Sequence, residues 1–471
     1  MKTNQMNAER ALNETVQEEL MRTDGCRTAD MIHFGKRIEP FVDNYLIAKT
    51  ENAALTVNRP VCRGKVLGFD LPWEDKGSLG MTVFEDNGTV KMFYRGFPGL
   101  GNSDLSEKQT ACIAYSEDGL HFTRPAVNEI PYGGITENNI VRMDGFCHNF
   151  GGFLDPNPAA KPDEKYKAVA GLEHFGGLYA FGSPDGIHWH KLCEEPVVTK
   201  GLFDSMNISF YDKNAGVYRC YSRYWLGKGY TGYRAIQSCT SEDFIHWTEP
   251  VGNEYPGMPE ICEHFYTNAA NVIPGAEHIL VSVPMRYNES RPAIVEGATS
   301  KGVSDCTFMT SRDGVHWDRT FPEAWIAPGL HSHEWTHRNF IFLSGIIERG
   351  NDFLMYTMQN YVWDDDGIWC YSVPRYRFAS VYAGYFGGSF ETKPLAFETD
   401  TFFLNYSTAA FGYVKVTVLD ADGAVLGQTD EIYGNELSRE LHFDGIAGKC
   451  GTIRFELKDA HVYAVGGKME K

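Results

Sequence analysis

The chain has 471 residues with a hydrophobic content of 43%, which is enough for two domains and an ample core. Its formal net charge of −19 argues against nucleic acid or an anionic membrane as a partner, because both are recognised by clustered lysine and arginine. The sequence contains no stretch of about eighteen apolar residues, so no transmembrane helix is predicted.

Residues 6–23 lack glycine and proline and place Ala11, Leu12, Val16 and Leu20 near one face, which predicts a short amphipathic helix. Such a helix would dock on the following domain or mediate homo-oligomerisation, and a partly frayed tail is the alternative. The N-terminal segment is polar and shows no apolar region of a signal peptide. The 11 cysteines are scattered without metal-ligand or redox spacing, which is typical of the reducing cytoplasm. A cytoplasmic localisation is therefore predicted.

Four nearly identical phrases recur along the middle of the chain, at 116–122, 183–189, 241–247 and 311–317. Each reads Ser-x-Asp, then Gly in three of the four, then x-His and an aromatic residue. Asp-Gly favours a tight turn, because glycine adopts positive φ and aspartate bonds to its own backbone. Such a hairpin, recurring at similar intervals along the chain, indicates a repeat architecture. The repeated histidines are expected to be packing residues; they are His121, His188, His246 and His316.

Reading outward from the hairpins gives five units, each beginning with an inner strand. The predicted inner strands begin near Gly80, His148, Asp204, Glu263 and Arg338. The fifth unit lacks the repeated phrase, and residues 54–61, which resemble the end of the first unit, are predicted to complete it. Such a strand closes the ring and removes its open edge. The predicted fold is therefore all-β, with a five-bladed β-propeller over residues 38–384.

Short alternating strands separated by turns such as 420–423 follow the propeller. This pattern predicts a small antiparallel β-sandwich. The predicted domains are an N-terminal helical extension (1–37), the propeller (38–384) and the sandwich (385–471). The sandwich is expected to buttress the propeller, and it is a second surface through which a homo-oligomer would form.

The repeated hairpins and the trailing sandwich resemble the five-bladed β-propeller glycosidases, the group of glycoside hydrolase families 32 and 43. Residues 41–47, 148–149 and 263–269 are similar to bacterial proteins described as family 32-like. The resemblance covers roughly residues 38–471 and implies an enzyme that hydrolyses a small oligosaccharide or glycoside. The fructosidase motifs are not intact, and Asp155-Pro-Asn is read as a turn, so catalytic residues are not transferred by motif.

Glycoside hydrolysis needs two carboxyl groups, one to protonate the leaving oxygen and one to act as nucleophile or base. The resemblance implies an axial funnel where the inner strands begin, so acids at or just before those starts are the catalytic candidates. They are Asp204, Glu263 and Glu334. Apolar neighbours predict a raised pKa for Glu263, as a general acid requires. A strand cap is the alternative role for Asp204, and a solvated loop carboxylate is the alternative for Glu334.

Other polar and aromatic side chains near the same strand starts are expected to bind the substrate. Arginine forms bidentate hydrogen bonds with hydroxyls or carboxylates, and aromatic rings stack on sugar faces. Several arginines near one funnel fit either an acidic sugar or an ion-pair network with the acids. The substrate-binding candidates are Trp73, Glu74, Arg95, His148, Asn149, Asn207, Arg223, His264, Tyr266, Arg286, His337 and Arg338.

No cofactor is predicted. His331, His333 and His337 with Glu334 are candidate ligands of an axial metal ion, but their spacing differs from the helical zinc pattern, and no metal site is predicted. Two functions compete with glycoside hydrolysis. One is a glycoside phosphorylase that holds phosphate with arginine and histidine, and the other is a non-catalytic glycan-binding propeller.

Overall fold

The computed structural model describes residues 31–98, 109–258, 263–298 and 300–468. The helix predicted over residues 6–23 lies outside the described residues. The chain divides into two compact units. Arg59–Arg375 forms the central unit, and the chain up to Asn58 joins Tyr376 onwards in the terminal unit. These limits differ from the predicted 38–384 and 385–471, because the first described strands pair with the C-terminal strands.

The described residues form strands, turns and loops, with three short 3₁₀ helices at Pro162–Glu164, Glu173–Phe175 and Ser332–Trp335. The first four strands belong to the terminal unit; they are β1 (Ile32–Phe34), β2 (Ile38–Pro40), β3 (Ile47–Glu51) and β4 (Ala54–Val57). Among the described residues, none of the helices combines the length and the apolar character that a membrane crossing requires.

The central unit begins with β5 (Val61–Gly68) and continues as five consecutive antiparallel sheet regions. Region 1 contains β6 (Leu79–Asp86), β7 (Thr89–Gly96), β8 (Thr110–Ser116) and β9 (Ile140–Arg142). Region 2 contains β10 (Gly151–Leu154), β11 (Tyr166–Leu172), β12 (Gly177–Ser183) and β13 (His190–Lys191). Region 3 contains β14 (Ile208–Asp212), β15 (Val217–Trp225), β16 (Arg234–Ser241) and β17 (Val251–Gly252).

Region 4 consists of two adjoining four-stranded sheets, because each of its long segments is interrupted. Its strands are β18 (His264–Phe265), β19 (Asn271–Ile273), β20 (Ala276–Ser282), β21 (Met285–Asn288), β22 (Val303–Thr307), β23 (Met309–Ser311), β24 (Trp317–Asp318) and β25 (Ala324–Ile326). Region 5 contains β26 (Ile341–Phe342), β27 (Ile347–Arg349), β28 (Asp352–Gln359) and β29 (Gly367–Pro374).

β5 pairs antiparallel with β29 and so completes region 5, with Gly68 opposite Gly367 and Val61 opposite Ser372. The N-terminal chain therefore supplies the missing strand, as expected, but from residues 61–68. The predicted segment was 54–61, and its Ala54–Val57 part is instead β4, which pairs with β30 in the terminal unit. The alternation of apolar residues does not distinguish these two neighbouring strands.

Strands of the central unit are buried on both faces, because each sheet region packs between two others. Met92 and Tyr94 on β7 belong to a core that also contains Leu354 of region 5. Phe93, whose side chain points to the opposite face, belongs to a second core with Phe181 of region 2. Alternate residues of one strand thus fill different cores.

Residues in or next to the first strands of the five regions contact one another in a closed cycle of hydrogen bonds. Each bond joins the chain at the start of one region to the chain at the start of the next, and the last bond returns to region 1. The bonds are Thr82 Oγ1 to Gly152 O (2.6 Å), Asn149 Nδ2 to Phe203 O (3.1 Å), Asn268 Nδ2 to Met206 O (3.1 Å), Ser344 Oγ to Ala270 O (2.8 Å) and Ser344 N to Met81 O (3.0 Å).

The four repeated phrases form turns of one design. In the last copy, the Asp313 carboxylate accepts hydrogen bonds from the backbone N–H of Val315 (2.9 Å) and His316 (2.8 Å), and its other oxygen lies 2.6 Å from His316 Nδ1. The four histidine side chains are between 53% and 87% exposed. The expectation that they pack is therefore corrected: each histidine pairs with the turn aspartate in solvent.

The terminal unit is one eleven-stranded sheet. Its C-terminal strands are β30 (Ala379–Ala383), β31 (Gly388–Thr392), β32 (Leu395–Phe397), β33 (Thr401–Asp420), β34 (Val425–Gln428), β35 (Asn435–His442) and β36 (Cys450–Gly466). The long strand β36 pairs with five others, and Phe41, Val381 and Phe455 lie in a shared apolar core. Eight described cysteines are free thiols, but Cys450 is disulfide-bonded, so the cytoplasmic localisation stays a prediction.

Candidate functional site

Three arginines surround one tyrosine near the ends of strands from neighbouring regions, and a fourth arginine lies close by. We call Arg95, Arg223, Arg234, Arg338 and Tyr266 the arginine–tyrosine centre. The guanidinium carbons of Arg234, Arg223 and Arg338 lie 4.6, 5.4 and 5.9 Å from the centroid of the Tyr266 ring. Burial lowers the pKa of Arg95, and the nearby positive charge of Arg338 lowers it further, so we include Arg95 in the centre. Four of these five residues were predicted from the sequence.

The pKa of Tyr266 reflects the positive charge of this centre. Burial raises the pKa of the Tyr266 phenol, but the positive charges of Arg338, Arg223 and Arg234 outweigh burial, and the pKa is lowered from its ordinary value of 10.0. Burial and mutual repulsion lower the pKa of Arg223 and Arg234 in turn. The centre therefore stabilises negative charge on the tyrosine, and it would stabilise an anionic group bound beside it in the same way.

The arginines of the centre have few acidic partners. Arg95 is buried and donates to two neutral acceptors, His148 O (3.1 Å) and Gly77 O (3.0 Å). The Nε atoms of Arg95, Arg223 and Arg234 are buried without a hydrogen-bond acceptor among the described residues. Among the described residues, Arg223 is the only arginine of the centre that forms an ion pair, and its partner is Asp204. The ion-pair network considered from the sequence is thus incomplete, and positive charge is left over.

Two carboxyl groups act on Arg223, one by direct contact and one through its charge. Asp204 precedes β14 and is 47% exposed, with Oδ1 against Arg223 Nη2. Glu173 follows β11 directly, and its negative charge raises the pKa of Arg223, against the larger effect of burial. Glu173 Oε1 is buried without a hydrogen-bond partner among the described residues. Glu173 was not among the residues predicted from the sequence, although it follows a second strand just as Arg95 and Arg223 lie near the ends of theirs.

The other two predicted acids have different partners. Glu263 pairs through one oxygen with Arg286 (3.3 Å) and through the other with Arg319 (2.5 Å). Glu263 also lines a cavity on region 4, and its role as general acid stays a prediction. Glu334 accepts a hydrogen bond from Gly329 N (2.5 Å) at its local 3₁₀ helix, as expected of a loop carboxylate.

Trp73 and Glu74 belong to the core, which corrects their assignment to substrate binding. Trp73 is buried and donates from Nε1 to Asn139 Oδ1 at 2.9 Å. Both oxygens of the fully buried Glu74 carboxylate accept hydrogen bonds from Arg124 (2.9 and 2.8 Å), and one also accepts from Tyr94 Oη (2.6 Å). Neither side chain has a surface or an atom to offer a sugar.

The predicted asparagines have structural hydrogen bonds. Asn149 and Asn207 are buried, and both donate from Nδ2 to Phe203 O, at 3.1 and 2.9 Å. Asn149 therefore connects two neighbouring regions, whereas Asn207 bonds within its own segment. Asn207 Oδ1 has no partner among the described residues, and the side chain is fully buried.

The predicted histidines are neutral neighbours of the centre. Burial, followed by the charge of Arg95, lowers the pKa of His148 to about 3. Burial and Arg338 lower the pKa of His337 to about 4. The pKa of His264 is also lowered, by burial and then by Arg234, whose backbone N–H donates to His264 Nδ1 at 3.0 Å. At neutral pH all three rings can hydrogen-bond a ligand without adding positive charge.

A cavity of about 600 Å³ opens beside the centre, on region 4. Its walls include the aromatic rings of Tyr233, Tyr287 and Trp335 and the polar side chains of His264 and Arg286. Tyr287 connects the cavity to the centre, because the Arg234 guanidinium carbon lies 5.5 Å from its ring centroid. Aromatic walls beside a polar centre suit a sugar ring, which has apolar faces and a polar edge.

The solved structures that are similar to this chain share little sequence with it. Neither a family model nor a curated protein matches it. Similar solved structures include a glycoside hydrolase (14% identity, TM-score 0.44, 67% of this chain and 92% of that one). A family 43 arabinoxylan arabinofuranohydrolase from Bacillus subtilis has 11% identity and a TM-score of 0.40, with 85% and 97% of the two chains covered. A family 32 β-fructofuranosidase from Bombyx mori has 10% identity and a TM-score of 0.40, with 88% and 95% covered.

The second and third of these structures are described as members of glycoside hydrolase families 43 and 32. Because every one of these TM-scores is below 0.5, we base the function on the side chains of the site.

Proposed function

We propose that the chain is a glycoside hydrolase that cleaves a short glycan bearing a negative charge. The central unit would be a five-bladed β-propeller whose blades are the five sheet regions, and the terminal unit a β-sandwich. The closed cycle of hydrogen bonds between the starts of the five regions supports the propeller. The observation that carries the function is the arginine–tyrosine centre flanked by two carboxyl groups.

The negative charge of the substrate follows from the unbalanced arginines. Burying several guanidinium groups without acidic partners is unfavourable unless a ligand supplies the compensating charge. The lowered pKa of Tyr266 has the direction expected where nearby positive charges stabilise an anion. A carboxylate or sulfate on the sugar would supply the negative charge that balances the arginines of the centre.

The chemistry would be carried by Asp204 and Glu173. Hydrolysis needs one group to donate a proton to the leaving oxygen and one to attack the anomeric carbon or to deprotonate the attacking water. Asp204 is half exposed and held by Arg223, which suits a carboxylate that acts as nucleophile or base. Glu173, the other carboxyl group beside Arg223, would supply the proton.

A screen of paired chromogenic glycosides tests the proposal. Glycosides of glucuronic and galacturonic acid are compared with the neutral glucoside, arabinofuranoside and fructoside. We expect turnover of a charged member, and Asp204→Asn and Glu173→Gln should each lower kcat about 10²- to 10⁴-fold. Glu249→Gln, at an exposed carboxylate paired with Lys200, is the matched control. Unchanged hydrolysis in both site variants would refute the assignment of the two acids.

Substitution of Arg338 tests the charge of the substrate separately. A charge-assisted hydrogen bond contributes about 1.5–3 kcal/mol, so Arg338→Met should raise KM for the charged glycoside roughly 10- to 100-fold. The KM of a neutral glycoside should not change. Strict dependence of turnover on inorganic phosphate would favour the phosphorylase. Binding of a glycoside without hydrolysis of any glycoside in the screen would favour a glycan-binding protein.

A further inference from the structure

A cluster of metal-ligand side chains lies on region 5, outside the residues to which the chemistry is assigned. His331, His333 and Asp365 each offer one ligand atom, and these atoms all lie within 4.8 Å of one another. His333 Nδ1 is 2.8 Å from Asp365 Oδ1, and His331 Nε2 is 3.6 Å from Asp365 Oδ2. The sequence pointed to His337 and Glu334 as the companions of the two histidines. In the structure, neither of these two belongs to the cluster, and the third ligand atom comes from Asp365, later in the chain.

The surroundings hold two of these side chains in place. The His333 ring stacks on the Trp363 indole, with 3.9 Å between centroids and 11° between planes. Asp365 Oδ2 accepts a hydrogen bond from Asn360 Nδ2 at 2.9 Å. Oriented ligands of this kind raise metal affinity, because less freedom is lost on binding. We call His331, His333 and Asp365 the histidine–aspartate cluster.

We propose that the histidine–aspartate cluster binds a divalent transition-metal ion, of which Zn²⁺ is the best match. Two imidazole nitrogens and one carboxylate oxygen form a ligand set that zinc accepts, whereas Ca²⁺ and Mg²⁺ require mainly oxygen ligands. Ligand atoms of tetrahedral zinc are about 3.3 Å apart, since each lies about 2.0–2.2 Å from the metal. The observed separations of 2.8 and 3.6 Å bracket that value.

The cluster is accessible from solvent. The side chains of His331, His333 and Asp365 are 52%, 27% and 41% exposed, so an ion from solvent can reach them, and water would complete the coordination. Asp364 precedes Asp365 in the sequence but pairs with Lys76 Nζ at 3.0 Å. The Asp365 carboxylate contacts both histidines and Asn360, so a metal ion would bind between the carboxylate and the two rings in place of their direct contacts.

A metal here would connect two segments that carry residues of the arginine–tyrosine centre. His331 and His333 precede Arg338, and Asp365 follows Tyr361, whose ring centroid lies 5.3 Å from the Arg338 guanidinium carbon. Coordination would therefore fix the position of Arg338 through its two flanking segments. The ion would act as a positioning element, and its binding does not depend on the proposed hydrolysis.

Titration of the chelator-treated full chain with ZnCl₂ by isothermal calorimetry tests the site. We expect one equivalent to bind, and His333→Ala and Asp365→Asn each to weaken binding by roughly 10- to 100-fold. His316→Ala is the matched control, because His316 forms a similar exposed pair with Asp313, and it should bind like the wild type. Circular dichroism of each variant verifies that it is folded.

Two results would overturn the proposal: the wild type binds no zinc, or both cluster variants bind it with wild-type affinity. Titration with CaCl₂ under the same conditions tests the class of ion. Calcium binding as tight as zinc binding would contradict the assignment to a transition metal. Because the readout is metal binding, failure here leaves the proposed hydrolysis standing, and failure of the glycoside screen leaves the metal site standing.

Discussion

Acidification should destabilise the protein through His337, which is buried beside Arg338 and has a pKa lowered to about 4 from 6.5. In the unfolded chain this ring takes up a proton below about pH 6.5, whereas in the folded chain it resists protonation until about pH 4. The unfolded state therefore binds more protons between these two values. The stability from the neutral ring is fully present above pH 6.5 and falls as the pH approaches 4.

The two pKa values set the size of this effect. One pH unit between them corresponds to about 1.4 kcal/mol, so the contribution of His337 to the unfolding free energy falls by roughly 2 kcal/mol from pH 7 to pH 5. His337→Gln removes the titrating group and should flatten the pH dependence by that amount, measured by urea denaturation at pH 7, 6 and 5. His246→Gln, at an 87% exposed ring, is the control. A His337→Gln curve parallel to that of the wild type would refute the reasoning.

Three stability predictions follow from buried and turn residues, each measured by thermal or urea denaturation. Glu74→Gln should cost about 3 kcal/mol, because Arg124 loses its buried partner. A loss too small to measure would contradict the core role of Glu74. Trp317→Ala should cost about 3–5 kcal/mol, since this side chain is fully buried, and wild-type stability would contradict that packing. Asp243→Ala should cost about 2 kcal/mol, because two backbone hydrogen bonds are lost. His246→Ala should lower the free energy of unfolding by clearly less than Asp243→Ala. Equal losses in the two variants would contradict the assignment of the stabilising hydrogen bonds to the aspartate.

Local chemistry made the repeated turns predictable. The Asp side chain bonds to the two backbone N–H groups that follow it, and Gly119, Gly186 and Gly314 adopt positive φ, so each phrase specifies its own hairpin. The closing strand was harder to predict, because residues 54–57 and 61–68 are both short mixtures of apolar and polar residues without a pattern that separates them. Their partners, β30 and β29, lie in the last third of the chain, and only the packed structure distinguishes them.

Residues of the site could be predicted where their position relative to a strand was enough to place the side chain. Arg95, Arg223, Arg338 and Tyr266 were found because they lie near strand starts or strand ends, which meet in this topology. Glu263 satisfied the same rule, yet Arg319 occupies its second oxygen. Arg319 follows β24 and lies far from Glu263 in the sequence, so no local sequence pattern predicts their contact.

The long-range field of the protein and the local field of its site have opposite signs, and this contrast restricts the ligand. A net charge of −19 repels a polyanion over its whole length. Inside the centre, within a screening distance of about 8 Å at physiological salt, the guanidinium groups dominate instead, as the lowered pKa of Tyr266 shows. A short glycan with one or two charges gains the local attraction and meets little of the overall repulsion. A long polyanionic chain meets that repulsion at every charged residue outside the cavity, so the proposed selection of an anion by these arginines would also favour a small one.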